Sequence, residues 1–316
     1  MTSQKLRVSV VGSGYMGKGI AQTLARAGAI VTLIDRDADV ARGALGAMVA
    51  DVAAAEAAGL TEPGSADVVR RNSSSADLES GLADAEFVVE AVFEELGVKH
   101  EVLAAIEAIV SETAVIGTNT SAIPVSVLAT VLRRPERFFG VHWFNPAPYL
   151  PGIEIILGEA SNPALLDDVM ALLVRAGKKP VVVADTPGFI ANRLQFALFK
   201  EAARMVEDGT ATAQQIDEVV KSGFGFRLPL FGPFAIADMA GLDVYANSYA
   251  TLSASLGSRF DCPPSLEERV ANGDLGTKTG GGYLGMSKEE ATDMANMRDR
   301  SYVALARLRA ELESGS

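Results

Sequence analysis

His142 lies in Phe138-Phe139-Gly140-Val141-His142-Trp143-Phe144-Asn145-Pro146, just past a run with the apolar character of a buried strand. Twelve positions later Glu154 sits inside Ile153-Glu154-Ile155-Ile156. Pro146, Pro148 and Pro151 fall between the two and exclude a continuous helix. If the chain reverses there, the imidazole and the carboxylate face each other. Such a pair suits oxidation of an alcohol: the ring takes the hydroxyl proton while hydride leaves, and the carboxylate fixes the tautomer and stabilises the imidazolium. A satisfied structural pair is the plainer alternative. His100, in Val98-Lys99-His100-Glu101, reads as an exposed helix residue.

A hydride acceptor is suggested by Gly12-Ser13-Gly14-Tyr15-Met16-Gly17, a G-x-G-x-x-G pattern. Alone the pattern is weak. Here it follows a strand-like run over 6–11 and opens a helical pattern over 16–27 that stops at Gly28. Gly12 makes the tight turn, Gly14 lets backbone approach a pyrophosphate, and Gly17 permits close helix–strand packing. Tyr15 and Met16 belong to the same turn, whose helix N-terminus offers unpaired N–H groups to phosphates. Asp35 ends the second strand-like run, 30–34, at the spacing where a carboxylate meets ribose hydroxyls. It repels a 2′-phosphate, so the expected cofactor is NAD. Arg36 could soften that preference, stack on adenine or stay solvated.

The elements that must hold these residues alternate. Strands are expected at 6–11, 30–34, 68–71, 87–91, 114–117 and 138–141, with helices over 37–58 and 98–110 among those between them. That order predicts βαβ units and an α/β fold, a Rossmann-type doubly wound parallel sheet. After Asp185-Thr186-Pro187-Gly188 the strand pattern ends, and helices are expected at 190–208, 213–221, 243–256 and 287–313. The reading is a Rossmann-type domain over 1–184 followed by an all-α C-terminal domain over 185–316.

Composition narrows the partners. A net charge of -12 argues against nucleic acid or an anionic membrane surface. One cysteine, Cys262, and two histidines leave no disulfide framework and little with which to build a metal centre. Near the N-terminus the apolar run Val8 to Val11 stops at the glycine turn without becoming a leader, and no segment has the ~20 apolar residues of a membrane span. A cytoplasmic protein acting on a small molecule is expected.

Taken in order, several blocks resemble the L-3-hydroxyacyl-CoA dehydrogenase family over nearly the whole chain. They are Gly12 to Gly17, Val88-Val89-Glu90-Ala91, Asn119-Thr120-Ser121, His142 to Pro146 with Glu154, Asp185 to Phe189, Asn192-Arg193-Leu194, Gly232-Pro233, Asp238 and Lys278-Thr279-Gly280. The resemblance implies that His142 is the general base and Glu154 its orienting partner. It assigns Ser121 and Asn192 to the reacting oxygen, Glu94 and Lys99 to the cofactor near its nicotinamide end, and Asn119 to cofactor binding. Other readings stand beside these: Ser121 as a helix N-cap near Pro124, Asn192 as a polar group at a helix start, Glu94 and Lys99 as a solvated helix face. A homodimer through the helical domain is implied as well.

Two features differ from relatives that use CoA. Those carry a Lys-rich helical extension after the second strand, whereas this chain has no lysine between 19 and 98, and 43–64 holds Asp51, Glu56 and Glu62 with no basic residue. The stretch from Trp143 to Glu154, with Pro151-Gly152, is similar to members acting on small free acids such as carnitine, gulonate or a pyridine carboxylate. Arg227, in Gly223-Phe224-Gly225-Phe226-Arg227-Leu228-Pro229, could hold a carboxylate bidentately or sit in a structural ion pair. A non-catalytic NAD-binding protein is the remaining alternative, and the joint presence of His142, Glu154, Ser121 and Asn192 speaks against it.

Overall fold

The computed structural model describes residues 5–315; residues 1–4, part of the segment read for a leader, and residue 316 lie outside that description. Two compact units are formed, one running to Phe199 and the other starting at Lys200.

The first unit is built on eight strands: β1 (Arg7–Val11), β2 (Ile30–Ile34), β3 (Ser73–Ala76), β4 (Phe87–Glu90), β5 (Val115–Thr118), β6 (Phe138–Trp143), β7 (Gly152–Leu157) and β8 (Lys179–Ala184). Their order is β3-β2-β1-β4-β5-β6-β7-β8. The neighbours from β3 through β6 pair in parallel. Crossovers on this sheet are carried by α1 (Tyr15–Arg26), α2 (Ala38–Ala57), α3 (Ser65–Asn72), α4 (Leu78–Leu82), α5 (Leu96–Ile109) and α6 (Val125–Leu128). Residues 144–151 are too few for a crossover, so β7 returns antiparallel to β6. A further helix, α7 (Asp167–Arg175), leads to β8, which pairs in parallel with β7.

Period-two alternation divides the strands between two cores. Val8, Val10, Leu33, Val141 and Ile155 pack in one with α1 and α7 residues such as Ile20, Leu24 and Leu172. Val11, Ile34, Val88, Ile116 and Ile156 pack in the other with Leu103, Ile106 and Leu128 of α5 and α6.

One expected strand is corrected. Residues 68–71 lie inside α3, and the strand is the next segment, β3, in register with β2 as Val31↔Ser73 to Ile34↔Ala76. Ala66, Val69 and Asn72 are buried at helical spacing, and Arg70 and Arg71 fall in the last turn where cations favour the helix dipole. The Val-Val pair suggested a strand, whereas the sheet edge is polar and needs no apolar run.

The second unit contains the end of α8 (Ala191–Glu207), then α9 (Ala213–Ser222), α10 (Pro233–Ala240), α11 (Leu242–Leu256), α12 (Pro264–Ala271) and α13 (Lys288–Ser314). Its strand content among the described residues is an isolated bridge, Gly281↔Met286. Here Asp238 is fully buried and accepts from the amides of Tyr283 and Leu284 at 3.0 Å each, closing the glycine-rich turn. No helix among the described residues is long and apolar enough to cross a membrane.

Candidate active site

Gly12, Asp35 and Ser121 follow the carboxyl ends of the parallel strands β1, β2 and β5, where α/β sheets bind ligands, and His142 lies near the end of β6. After β1, Gly12 adopts φ 104°, and a Cβ there would lie 2.5 Å from the Ala91 carbonyl oxygen. At Gly17 a Cβ would lie 1.8 Å from the Gly12 carbonyl oxygen, so α1 can pack this tightly only with glycine. Gly14 is different: nothing lies within 4 Å of the position a Cβ would take. It N-caps α1 with no side-chain capping bond, so the first amides of the helix are left without a side-chain partner at the cap.

At the end of β2, Asp35 Oδ2 accepts from the Ser13 amide at 2.9 Å and the Ser13 hydroxyl at 2.6 Å. Burial opposes ionisation of this carboxyl, but the Ser13 and Arg36 contacts outweigh it and hold it below the ordinary carboxylate value. Open space at Gly14, uncapped amides and an ionised carboxylate across the turn fit the pyrophosphate and ribose of a dinucleotide. Tyr15 points to solvent, Met16 packs against the core beneath, and Arg36 is exposed.

His142 and Glu154 are partners in the β6–β7 register, so their side chains share a sheet face. His142 Nδ1 is 2.8 Å from Glu154 Oε2, and both side chains are buried. The other oxygen, Oε1, accepts from the amides of Ile190 at 2.9 Å and Ala191 at 3.0 Å, at the start of α8. With an ionised Glu154, Nδ1 carries the proton and donates, which leaves Nε2 as a proton acceptor. Phe144 stands edge-on to the imidazole at 5.0 Å and Phe189 lies 5.6 Å away. Phe189 is buried at φ 48°, an uncommon backbone for a side chain this size, directly after Gly188 at φ 76°.

Ser121 follows β5. Its carbonyl accepts from the Asn192 amide group at 2.9 Å, which joins the Ser121 loop to the start of α8. Glu94 Oε1 takes the amides of Ser121 at 2.7 Å and Ala122 at 2.9 Å and the Thr120 hydroxyl at 2.6 Å. Asn119 Oδ1 accepts from the Trp143 amide at 2.9 Å and so ties the end of β5 to the end of β6. Ser121 does not cap α6, whose N-cap is Pro124. Lys99 is not on a solvated face: its side chain is fully buried, 2.8 Å from Glu90 and 3.3 Å from Glu94.

Two residues gain roles that the sequence reading did not give them. Glu90 ends the apolar run of β4 fully buried, and a charge closing such a run has to find a partner. Asp185 follows β8 and accepts from the amides of Val125 at 2.9 Å and Ser126 at 2.7 Å, holding the start of α6. Among the described residues no cluster of His, Cys, Asp or Glu could hold a metal ion. In the second unit, Arg227 is exposed on a short helical turn and forms no ion pair among the described residues.

Residues 7–186 match the family model described as 3-hydroxyacyl-CoA dehydrogenase, NAD binding domain, and residues 188–285 match its C-terminal domain. The chain belongs to the 3-hydroxyacyl-CoA dehydrogenase family. It is therefore an NAD-dependent oxidoreductase acting on CH–OH groups, with a Rossmann-type domain followed by a helical one. A probable 3-hydroxybutyryl-CoA dehydrogenase of Bacillus subtilis is 36% identical over 279 residues, covering 88% of this chain and 96% of the relative. The 5-formyl-3-hydroxy-2-methylpyridine 4-carboxylate 5-dehydrogenase of Mesorhizobium japonicum is 33% identical over 303 residues, covering 95% of this chain and 97% of the relative. Among solved structures, a 3-hydroxyacyl-CoA dehydrogenase from Archaeoglobus fulgidus superposes with a TM-score of 0.79 at 30% identity, covering 98% of this chain and 99% of that one. Family membership thus spans relatives named for CoA thioesters and one named for a free aromatic acid.

Proposed function

We propose that this dehydrogenase oxidises a 3-hydroxy group to a ketone on an acyl substrate, with His142 as general base. The observation that carries the reading is the buried His142–Glu154 contact at 2.8 Å, with Glu154 anchored a second time on the amides of Ile190 and Ala191. NAD, when bound, would supply the acceptor for the hydride of the carbinol carbon. His142 Nε2 takes the hydroxyl proton, and Glu154 holds the ring orientation and offsets the positive charge that develops on it. Ser121 and Asn192, linked through the Ser121 carbonyl, hold the reacting oxygen. Gly12, Gly14, Tyr15, Met16 and Gly17 serve the cofactor's phosphates, Asp35 and Arg36 its adenosine, and Asn119, Glu94 and Lys99 the walls of its nicotinamide end. The functional division falls at about residue 184, where β8 ends.

A second reading, a small free hydroxy acid or hydroxymethyl aromatic acid in place of the thioester, is supported by charge around α2 and α3. Arg42 pairs with Asp39 at 2.6 Å, Arg70 with Asp67 at 2.5 Å and Lys18 with Asp51 at 3.4 Å. These cations already have carboxylate neighbours, which makes a poor dock for the polyanionic end of CoA. Arg227, exposed and outside any ion pair among the described residues, is the guanidinium proposed to hold the free carboxylate. Cytoplasmic action as a homodimer through the helical unit completes the proposal; exposed Val219, Val303, Leu308 and Leu312 in that unit support the dimer, and light scattering tests it.

NADH formation with 3-hydroxybutyryl-CoA, free 3-hydroxybutyrate and a hydroxymethyl pyridine carboxylate, run side by side, separates the two substrates. Preference for the thioester supports the first reading. Turnover of a free acid that is lost on Arg227→Ala supports the second. Absence of turnover on every alcohol tested, in a protein that still binds NAD, refutes both.

A further inference from the structure

Lys178 follows Gly177, which leaves α7 at φ 74°, and its side chain reaches the connection between β6 and β7. It is buried and forms no ion pair among the described residues. Its ammonium donates to the Ala147 carbonyl at 2.5 Å and the Leu150 carbonyl at 2.7 Å, and lies 5.5 Å from the centre of the Trp143 ring. Burial, with Arg26 adding to it, pulls the ammonium below the ordinary lysine value, so two carbonyls and an indole ring are what keep a charge there. An apolar side chain would fill this space without the desolvation cost, but it could not draw two carbonyls of one loop to a single point.

The loop so held, residues 144–151, joins the strands that carry His142 and Glu154. Side chains alternate along β6, so Trp143 faces the core built with α1 and α7, whereas His142 lies on the other face beside Phe189. Lys178 therefore stands on the far side of the sheet and does not touch a substrate bound at the imidazole. Phe144 crosses back. Its ring meets His142 edge-on at 5.0 Å, and it packs on Gly152 so closely that a Cβ there would lie 2.9 Å from two ring carbons. The same loop rests on α1, where a Cβ at Gly19 would lie 3.3 Å from Ala147 and Pro148.

We infer that Lys178 is a positioning residue acting from the far face of the sheet: its ammonium ties the Ala147 and Leu150 carbonyls together, closes the 144–151 loop and so keeps Phe144 seated against the His142 imidazole. That His142 is the base rests on the proposed function; closure of the loop does not. Without the ammonium the two carbonyls lose their shared donor and the loop opens. The imidazole is then held by Glu154 with no ring edge behind it.

The test uses the full chain with Lys178→Met, Glu154→Gln and the double variant. Amide exchange is read at Tyr149 and Leu150, which both donate to the Pro146 carbonyl within the loop. The ring resonances of His142, one of two histidines in the chain, report its placement by NMR, and NAD affinity, kcat and KM complete the readouts. Lys178→Met is expected to speed exchange at both amides about tenfold or more, the size of one lost charge-assisted bond, and to move the His142 resonances while leaving those of His100. On whichever alcohol the wild type oxidises, kcat should fall about tenfold or more with KM and NAD affinity within about threefold. In the Glu154→Gln background the same change should cost less than about threefold, because both act through one imidazole. Unchanged exchange, or His142 resonances that stay in place, overturns the inference. So does a variant with a lower melting temperature and the kcat of wild type, which marks a merely structural lysine. About tenfold weaker NAD binding with kcat kept also overturns it, since the loop would then serve α1. If Lys178→Met does not fold, Lys178→Gln keeps a donor for one carbonyl and is expected to show the same changes at about threefold; unchanged exchange and resonances there overturn the inference as well. Should the wild type oxidise none of the alcohols, exchange and resonances still decide the inference and only the functional reading falls.

Discussion

Replacing Glu154 by Gln alters one functional group in the site and nearly nothing in shape. The amides of Ile190 and Ala191 determine how the new side chain sits. Both donate to Oε1 in the native protein, so the glutamine carbonyl must face them and its NH2 must face His142. An NH2 group can meet only an accepting Nδ1, which moves the imidazole proton to Nε2 and removes the base. The opposite orientation points the NH2 at two N–H donors and leaves them unpaired, at about 1–3 kcal/mol each. Charge adds to the loss. Nδ1 and Oε2 are 2.8 Å apart, which puts the charge centres roughly 4 Å apart, worth about 4 kcal/mol at an effective permittivity near 20. That converts to about a thousandfold in kcat. The assay is steady-state NADH formation, with NAD affinity and a thermal melt as controls, both expected close to wild type because the glycine turn is untouched. A kcat within about tenfold of wild type would refute the reasoning and leave the pair as a structural contact.

Three further outcomes follow from the same geometry. Gly14→Ala should fold normally, since nothing lies within 4 Å of the new Cβ, yet bind NAD about tenfold or more weakly by titration; Gly17→Ala, with its Cβ 1.8 Å from a carbonyl oxygen, should lower the melting temperature even without cofactor. Asp35 and Glu94 are held below their ordinary values of 3.8 and 4.5, in each case by hydrogen bonds and neighbouring positive charge that outweigh burial. Their stabilisation is therefore present above those values and lost as pH falls through the lowered ones, so melting temperature should drop below about pH 4.5, less steeply in Asp35→Asn with Glu94→Gln. Asp238→Ala strands the amides of Tyr283 and Leu284 and should cost about 2–5 kcal/mol by urea unfolding, with the first unit's NAD affinity kept.

What the sequence made legible was periodic or local. The glycine turn, Asp35 and the helices behind them announce themselves through spacing, because one short βαβ unit carries the whole motif. His142 and Glu154 were legible as a possible pair because the prolines between them exclude a continuous helix, and the antiparallel β6–β7 register supplies the reversal that the pair requires. Misreading began where local preference and sheet position disagree. β3 is Ser73-Ser74-Ser75-Ala76 on an edge, with little to mark it as a strand, whereas Val68-Val69 is β-branched yet helical. β8, mostly exposed despite Val181-Val182-Val183, carries no alternation to read.

The amide contacts these carboxylates make were not legible, even where the acid itself was singled out as Glu154 and Glu94 were, and one reason covers them all. Glu94 takes the successive amides of Ser121 and Ala122, Glu154 those of Ile190 and Ala191, and Asp185 those of Val125 and Ser126. Glu107 does the same with Arg133 and Arg134, and Asp238 with Tyr283 and Leu284. Partners so distant leave no spacing in the chain from which such a contact could be read. The physical logic is that successive amides in a turn point into one concavity, which an ionised carboxylate fills better than water once the loop is half-buried. Each such contact fixes a loop at two consecutive residues, which removes its freedom to rotate. At the end of β5 and the start of α8, two of these clamps act on the loops that carry Ser121 and Asn192, and the Asn192–Ser121 bond joins the loops to each other. Site geometry is thereby set by anions that need not touch a substrate, which is why a substitution at Glu94 should act on catalysis even where it leaves the dinucleotide in place.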